Sequence, residues 1–169
     1  MQAVRESDRM LLTDDMAVLT ALPVLPTGPV GRLAQATEYR FGEELVLLGY
    51  ALPGATTHGE RIAFKFGWRV AENLEERLQQ FLHLLRADDQ TFYTYDRPLL
   101  GDIFPMTHWA SMLEAVELWE VEVSTELRPG DYHVYTGLYD LNTLERRTIL
   151  NTDPRILDNA IYLGDIHLD

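Results

Sequence analysis

The chain has no cysteine, which removes disulfides, thiolate metal sites and thiol nucleophiles at a stroke. Serine is scarce: Ser7, Ser111 and Ser124 are the whole supply, and none stands in a Gly-x-Ser-x-Gly elbow. There is no His-Glu-x-x-His, no phosphate-cradling glycine loop followed by Lys-Ser or Lys-Thr, and no dinucleotide fingerprint. Enzyme chemistry and a cofactor are therefore not expected. Positive charge is short as well. Fourteen Lys+Arg stand against 27 Asp+Glu, a formal net charge of −13, and the longest cationic run is Arg146-Arg147. Binding a phosphate backbone rests on cationic neutralisation, so nucleic acid is not an expected partner.

Long apolar runs are missing too, so no segment is expected to cross a bilayer. Met1 to Pro26 does not read as a signal peptide, because Asp14 and Asp15 interrupt its apolar stretch and Glu6 and Asp8 accompany Arg5 and Arg9. On that reading the chain is expected to be cytoplasmic, unless it is a piece of a membrane protein, in which case it is expected to be extracytoplasmic.

What is present is strand pattern. Residues 1–40 read as an irregular arm: Met10-Leu11-Leu12 and Ala17-Val18-Leu19 suit a helical turn or two, and Pro23, Pro26, Gly28, Pro29 and Gly31 then interrupt any regular element. An edge strand around Val18 to Val24 is the alternative there. Residues 41–169 read as the folded domain. Leu45 to Leu52 is a short apolar run closed by Pro53-Gly54, as in a buried strand. In Arg61 to Val70, Ile62, Phe64, Phe66, Trp68 and Val70 alternate with Arg61, Lys65 and Arg69, and a one-residue slip would bury three cations, so the register is strongly specified. Glu72 to Gln80 reads as one or two helical turns capped by Asn73, with Leu74 and Leu78 at i,i+4. Extended through Leu85, it would be one amphipathic helix and the fold α+β.

Phe81 to Arg86 and Thr91 to Asp96 make a hairpin about the turn Asp88-Asp89-Gln90. Arg97 to Met112 is a long loop, a length often given to function. Ala115 to Leu127 returns to strand, with Val116 and Leu118 out of phase with Trp119, which predicts a bulge. The Pro129-Gly130 turn then feeds a strand with two distinct faces, Tyr132, Val134, Thr136 and Leu138 against His133, Tyr135, Gly137 and Tyr139. A turn over Asn142 to Glu145, a short strand over Arg147 to Leu150 and a last strand over Ala160 to Leu168 complete the chain. About eight strands at short spacing predict an all-β sandwich, immunoglobulin-like or jelly-roll-like.

Candidate chemistry is thin. The five histidines, His58, His83, His108, His133 and His167, are never paired at ligand spacing, and no metal site is expected. Asp88, Asp89 and Asp153 read as turn formers. The aromatics say more. Sugar-binding surfaces set flat rings against pyranose C–H groups and use carboxylates and amides for the hydroxyls. Tyr93, Tyr95 and Asp96 on one strand, with His108 and Trp109 in the loop after it, form the candidate ligand-binding set. In the competing reading Trp109 plugs one end of the sandwich and Tyr93 and Tyr95 cover a sheet face. Trp68 belongs to the core.

Several motifs occur in a telling order: Leu47-Leu48-Gly49-Tyr50, Gly67-Trp68-Arg69, Phe81-Leu82-His83-Leu84-Leu85, and Pro98 through Pro105-Met106-Thr107-His108-Trp109. Pro129-Gly130-Asp131-Tyr132, Gly137-Leu138-Tyr139-Asp140 and Leu163-Gly164-Asp165-Ile166 follow. Over about Tyr39 to Leu168 the set resembles the β-sandwich accessory domain after the membrane-spanning region of bacterial dolichyl-phosphate-mannose-type glycosyltransferases. The resemblance implies a non-catalytic module outside the membrane. The expected function is binding of carbohydrate or a cell-envelope partner. The alternative is a structural domain that pairs with another chain, or with itself as a homo-oligomer, through an edge strand.

Overall fold

The computed structural model describes residues 33–54, 61–101, 109–122 and 126–169. The expected edge strand at Val18 to Val24, the helical turns expected in that arm, and His108 lie outside the described residues. The described residues form nine strands and no helix. They are β1 (Gln35–Phe41), β2 (Leu45–Ala51), β3 (Arg61–Val70), β4 (Leu78–Arg86), β5 (Phe92–Pro98), β6 (Glu114–Glu122), β7 (Gly130–Asp140), β8 (Ile156–Leu157) and β9 (Ala160–Leu168). Every pairing is antiparallel. A four-stranded sheet runs β1-β2-β3-β6 and a five-stranded sheet runs β5-β4-β7-β9-β8, so the fold is an all-β sandwich.

The core lies between the sheets, where the period-two pattern places it. Ile62, Phe64, Phe66, Trp68 and Val70 of β3 meet Tyr132, Val134 and Leu138 of β7 and Ile161, Leu163, Ile166 and Leu168 of β9 in one buried cluster. The cations of β3 face water, where Arg61 pairs with Glu120 at 3.7 Å and Arg69 with Glu114 at 3.7 Å. Exposed pairs of this kind contribute little to stability. They do keep the register.

Several expectations need correction. Residues 71–77 form neither a helix nor a strand, and Leu74 and Leu78 are buried without helical spacing to bring them together. β4 begins at Leu78 rather than Phe81, and β5 runs on through Pro98. The first strand begins at Gln35, ahead of the Phe41 where the strand pattern becomes visible. β6 has no bulge: its register against β3 is unbroken from Arg69↔Glu114 to Arg61↔Glu122. Val116 and Leu118 simply lie on the outer face, and the inward position between Ala115 and Trp119 is taken by Glu117, held there by Arg97. The bulges fall instead between Ala36 and Tyr39, Leu47 and Gly49, and Val134 and Tyr135.

The strand expected over Arg147 to Leu150 reduces to isolated bridges, Phe41↔Ile149 and Tyr139↔Arg146. That segment still has a role. The Gly42 N–H donates to Thr148 O (2.9 Å) and the Leu150 N–H to Arg40 O (2.9 Å). Asn151 continues the ladder with its side chain, accepting from the Arg40 N–H (2.7 Å) and donating to Glu38 O (2.8 Å). The free edge of β1 is thereby covered.

Candidate functional site

The outer face of the five-stranded sheet collects side chains that a plain solvated face would not. On β4, Leu78, Gln80, Leu82 and Leu84 point inward, which leaves Gln79, Phe81, His83 and Leu85 outward. The same alternation turns Phe92, Thr94 and Asp96 outward on β5, and His133, Tyr135 and Tyr139 outward on β7. β9 needs a further device. Tyr162 and Asp165 are three apart and belong on opposite faces of a regular strand. The bulge at Gly164, which pairs with Val134 while Tyr135 pairs with Tyr162, restores both to the outer face. Gly164 sits at φ +141, where only glycine is comfortable. As a result the Tyr162 hydroxyl donates to Asp165 Oδ1 at 2.7 Å, and His133 Nδ1 lies 2.5 Å from the same oxygen.

Cross-strand pairing aligns these side chains in rows. His83 stands opposite Thr94 on one side and Tyr135 on the other, and Tyr135 stands opposite Tyr162. The rings touch: Phe81 stacks on His83 at 4.3 Å, His83 meets the edge of Phe92 at 4.6 Å, and Tyr135 lies 5.4 Å from Tyr162. At the β5 end the row opens beside a cleft of about 290 Å³ lined by Phe81, His83, Asp96, Tyr139, Leu144 and Arg146. Phe81 is its floor. The Arg146 guanidinium stands 5.0 Å from the centre of that ring and donates to Asp158 Oδ2 at 2.7 Å. Asp96 accepts from the Thr94 hydroxyl at 3.2 Å and lies 3.4 Å from the Tyr139 hydroxyl, with its carboxylate open to water.

The electrostatics of the face follow from burial. Partial burial among the rings pushes His83 down to about 4, with Asp96 opposing and Arg146 assisting. It is a neutral imidazole at physiological pH, able both to donate and to accept. Burial works against the Asp165 carboxylate, but the hydrogen bonds from His133 and Tyr162 hold it below the usual range. Tyr162 is pushed up to about 12, by burial first and then by its bond to Asp165. The exposed His167 moves up from its ordinary value because it bonds Asp131 at 2.6 Å. A proton NMR titration is therefore expected to find the His83 ring titrating near pH 4 and His167 above 6.5. A His83 midpoint at or above 6 would mean that the ring stands in water and not in the stack. Among the described residues no three His, Asp or Glu side chains converge on one point as a metal site requires.

The expected ligand-binding set is divided by the sheet. Asp96 faces the outer surface. Tyr93 and Tyr95 face inward, half-buried against the core, where the Tyr93 ring lies 6.1 Å from Tyr132 and its hydroxyl donates to Glu126 O at 2.7 Å. Trp109 is 6% exposed and belongs to the core cluster, while His108 lies outside the described residues. His83, Tyr135, Tyr139 and Tyr162 share the face with Asp96 instead. Their signal was in the chain, since period two sets Asp96 apart from Tyr93 and Tyr95.

No protein-family model and no curated protein matches the chain. Among solved structures it is similar to the C-terminal domain of wzt, with a TM-score of 0.51 and 12% identity, covering 82% of this chain and 83% of that one. The likeness is one of fold. The CARDB domain of a Pyrococcus furiosus protein, solved in complex with di-metal ions, is more distant at a TM-score of 0.42 and 12% identity, over 76% of this chain and 97% of that one. The sandwich expected from the strand pattern thus has a counterpart among known folds, and the chemistry has to be argued from the face itself.

Proposed function

We propose that the chain is a non-catalytic carbohydrate-binding module whose site is the outer face of the five-stranded sheet. The observation that carries this reading is the row His83, Tyr135 and Tyr162, with Phe92 at its edge and the carboxylates of Asp96 and Asp165 held outward beside it. Pyranose rings present C–H faces, which rest well on flat rings, and hydroxyls, which need acceptors and donors at fixed positions. Both are supplied on a rigid strand scaffold. Of the five residues that the strand and loop pattern singled out, Asp96 belongs to this site. The envelope setting implied by the glycosyltransferase-domain resemblance would place such a module next to glycan.

Two geometric points weigh against the other readings. Asp96 on β5 and Asp165 on β9, the carboxylates beside the ring row, are separated by β4 and β7, at least about 14 Å at ordinary strand spacing, so these two do not form the carboxylate pair of a glycosidase. Edge-strand pairing finds little purchase on the four-stranded sheet. β1 is covered by residues 148–151, and β6 presents Glu120 and Glu122 while its Leu118 carbonyl accepts from Arg97 at 3.3 Å.

A glycan-array screen of the full chain, followed by titration of each hit, tests the reading. Asp96→Asn and Tyr135→Ala are expected to weaken a hit roughly tenfold each, about 1.4 kcal/mol, with the melting temperature little changed. A blank across neutral, amino and acidic glycans overturns it. So does a hit that neither substitution affects.

A further inference from the structure

The cleft beside Asp96 is too small to explain the rest of the face. Beyond His83, which lines the cleft itself, rings that would be idle in a one-sugar site continue away from it: Tyr135 on β7 stands opposite His83, and Tyr162 on β9 stands opposite Tyr135. We propose that the site takes an extended, uncharged glycan chain of at least three residues, laid across the strands from the cleft at Asp96 to Tyr162 and Asp165. This rests on the carbohydrate-binding reading above and specifies its ligand.

The length follows from the spacing. Neighbouring strands lie about 4.8 Å apart, close to the advance of one pyranose in an extended chain, so successive sugars meet successive rings. From β5 to β9 the track covers three such steps, about 14 Å across the sheet, and it runs diagonally, because Asp96 is in register with Gly137 and Asp165 with His133 of β7. The acceptors are distributed along it rather than gathered at one point. Asp96 and Tyr139 stand at the cleft, His83 in the middle, and Asp165 with Tyr162 and His133 at the far end. A single sugar reaches one of these groups. A chain reaches all of them.

The preference for uncharged sugars follows from the charges that face the track. Asp96, Asp131 and Asp165 are carboxylates on this face. The nearby cation, Arg146, already donates to Asp158 and lies over Phe81. His133 and His167 are each engaged by an aspartate, at 2.5 Å and 2.6 Å. A chain of uronates would bring one carboxylate per sugar alongside these groups with no free cation among the described residues on this face to receive it, which is the arrangement that excludes wrong partners.

Isothermal titration of the full chain decides the matter, using oligosaccharides of one to six residues from three neutral series, β-1,4-glucose, α-1,4-glucose and α-mannose, with oligogalacturonates as the acidic series. In the neutral series that binds, affinity is expected to rise at least tenfold from the monosaccharide to the trisaccharide and to level off by about four residues. Uronate oligomers of equal length are expected to bind at least tenfold more weakly at low salt. Tyr162→Ala is expected to remove most of the gain with length. If that variant melts well below the parent, Tyr135→Ala, one strand nearer the cleft, reads the same property. Affinity independent of chain length overturns the track and leaves a one-sugar site standing. A preference for uronates overturns the charge argument. Silence across all four series overturns the track, and silence together with a blank glycan array overturns the carbohydrate reading as well.

Discussion

Replacing Arg97 with leucine is expected to lower folding stability by about 3–5 kcal/mol at pH 8, read as a fall in the urea midpoint with an unchanged slope. Arg97 lies near the end of β5 in one sheet and Glu117 lies in β6 of the other, so their ion pair joins the two sheets at one margin of the sandwich. The Glu117 side chain is 4% exposed. The Arg97 guanidinium lies 4.4 Å over the Trp119 ring, and among the described residues Glu117 Oε2 has no hydrogen-bond partner. Taking away the arginine leaves a buried carboxylate with only a hydrogen bond from the Leu100 backbone to answer it, which is the costly way to break such a pair. Removing both charges is different. Arg97→Leu with Glu117→Leu is expected to recover most of the loss, because neither side then has an orphan. A double variant no better than Arg97→Leu alone would show that the arginine matters through its packing on Trp119 and not through the pair.

The same pair sets a pH signature. Burial pushes Glu117 up to about 7, against the pull of Arg97. Arg97 is itself lowered by burial, but a guanidinium keeps its proton throughout the working range. An acid whose folded value lies above its unfolded one binds more protons folded than unfolded in the interval between them. Its contribution is therefore greatest below the ordinary carboxylate value of 4.5 and declines as pH rises through about 7. Without Arg97 the carboxyl is expected to move higher still, so the Arg97→Leu penalty is milder at pH 5 than at pH 8. Asp153, held at about 2 by its hydrogen bonds from Arg155 and Tyr39, tilts the whole-protein curve the opposite way. The difference between variant and parent cancels that background. A penalty equal at the two pH values would show that Glu117 stays ionised throughout.

The strands that were legible are those whose two faces differ in kind. β3 and β7 show it plainly, with apolar residues in and charges or polar aromatics out, and β9 shows it on either side of the bulge at Gly164. What pattern could not supply were the polar side chains that are satisfied inside. Gln80 points inward, donating to the Thr136 hydroxyl at 3.1 Å, while that hydroxyl donates to Phe81 O at 2.7 Å. A buried glutamine looks like surface to any periodicity rule, so the start of β4 was misplaced. Glu117 had the same effect on β6, where an inward glutamate imitated a slipped register. In each case the partner sits on another strand, and no local window contains it. The candidate face was half legible. Alternation alone puts His133, Tyr135 and Tyr139 together, and Asp96 with Phe92 and Thr94. That these two groups share one face requires the pairing of β5, β4 and β7, and Tyr162 joins them only through the bulge at Gly164.

Gly137→Ala tests how tightly the cleft floor is built. The Phe81 ring lies across the backbone of Gly137, its partner on β7. A Cβ at position 137 would come within 2.4 Å of Phe81 Cζ and 2.7 Å of the Asn159 carbonyl oxygen. Neither neighbour gives way easily. The far side of the Phe81 ring is held by His83, stacked at 4.3 Å, and by Arg146 at 5.0 Å. Asn159 belongs to the tight turn between β8 and β9, at φ 54, with its side chain accepting the Ile149 N–H at 3.0 Å. The methyl group must therefore move a ring, a stacked imidazole and a guanidinium together, or reshape the turn. Overpacking of this kind costs about 1–3 kcal/mol. Gly54→Ala, where an added Cβ meets nothing within 4 Å, is the matched control and is expected to stay within about 0.5 kcal/mol of the parent. Phe81→Leu should relieve the clash. The double variant Gly137→Ala/Phe81→Leu is then expected to be more stable than the sum of its single changes allows, the mark of residues in direct contact. Additive costs would mean that the ring moves aside freely. A floor that moved so readily would not hold His83 and Arg146 in place for a ligand, and the cleft would lose its claim to be a preformed site.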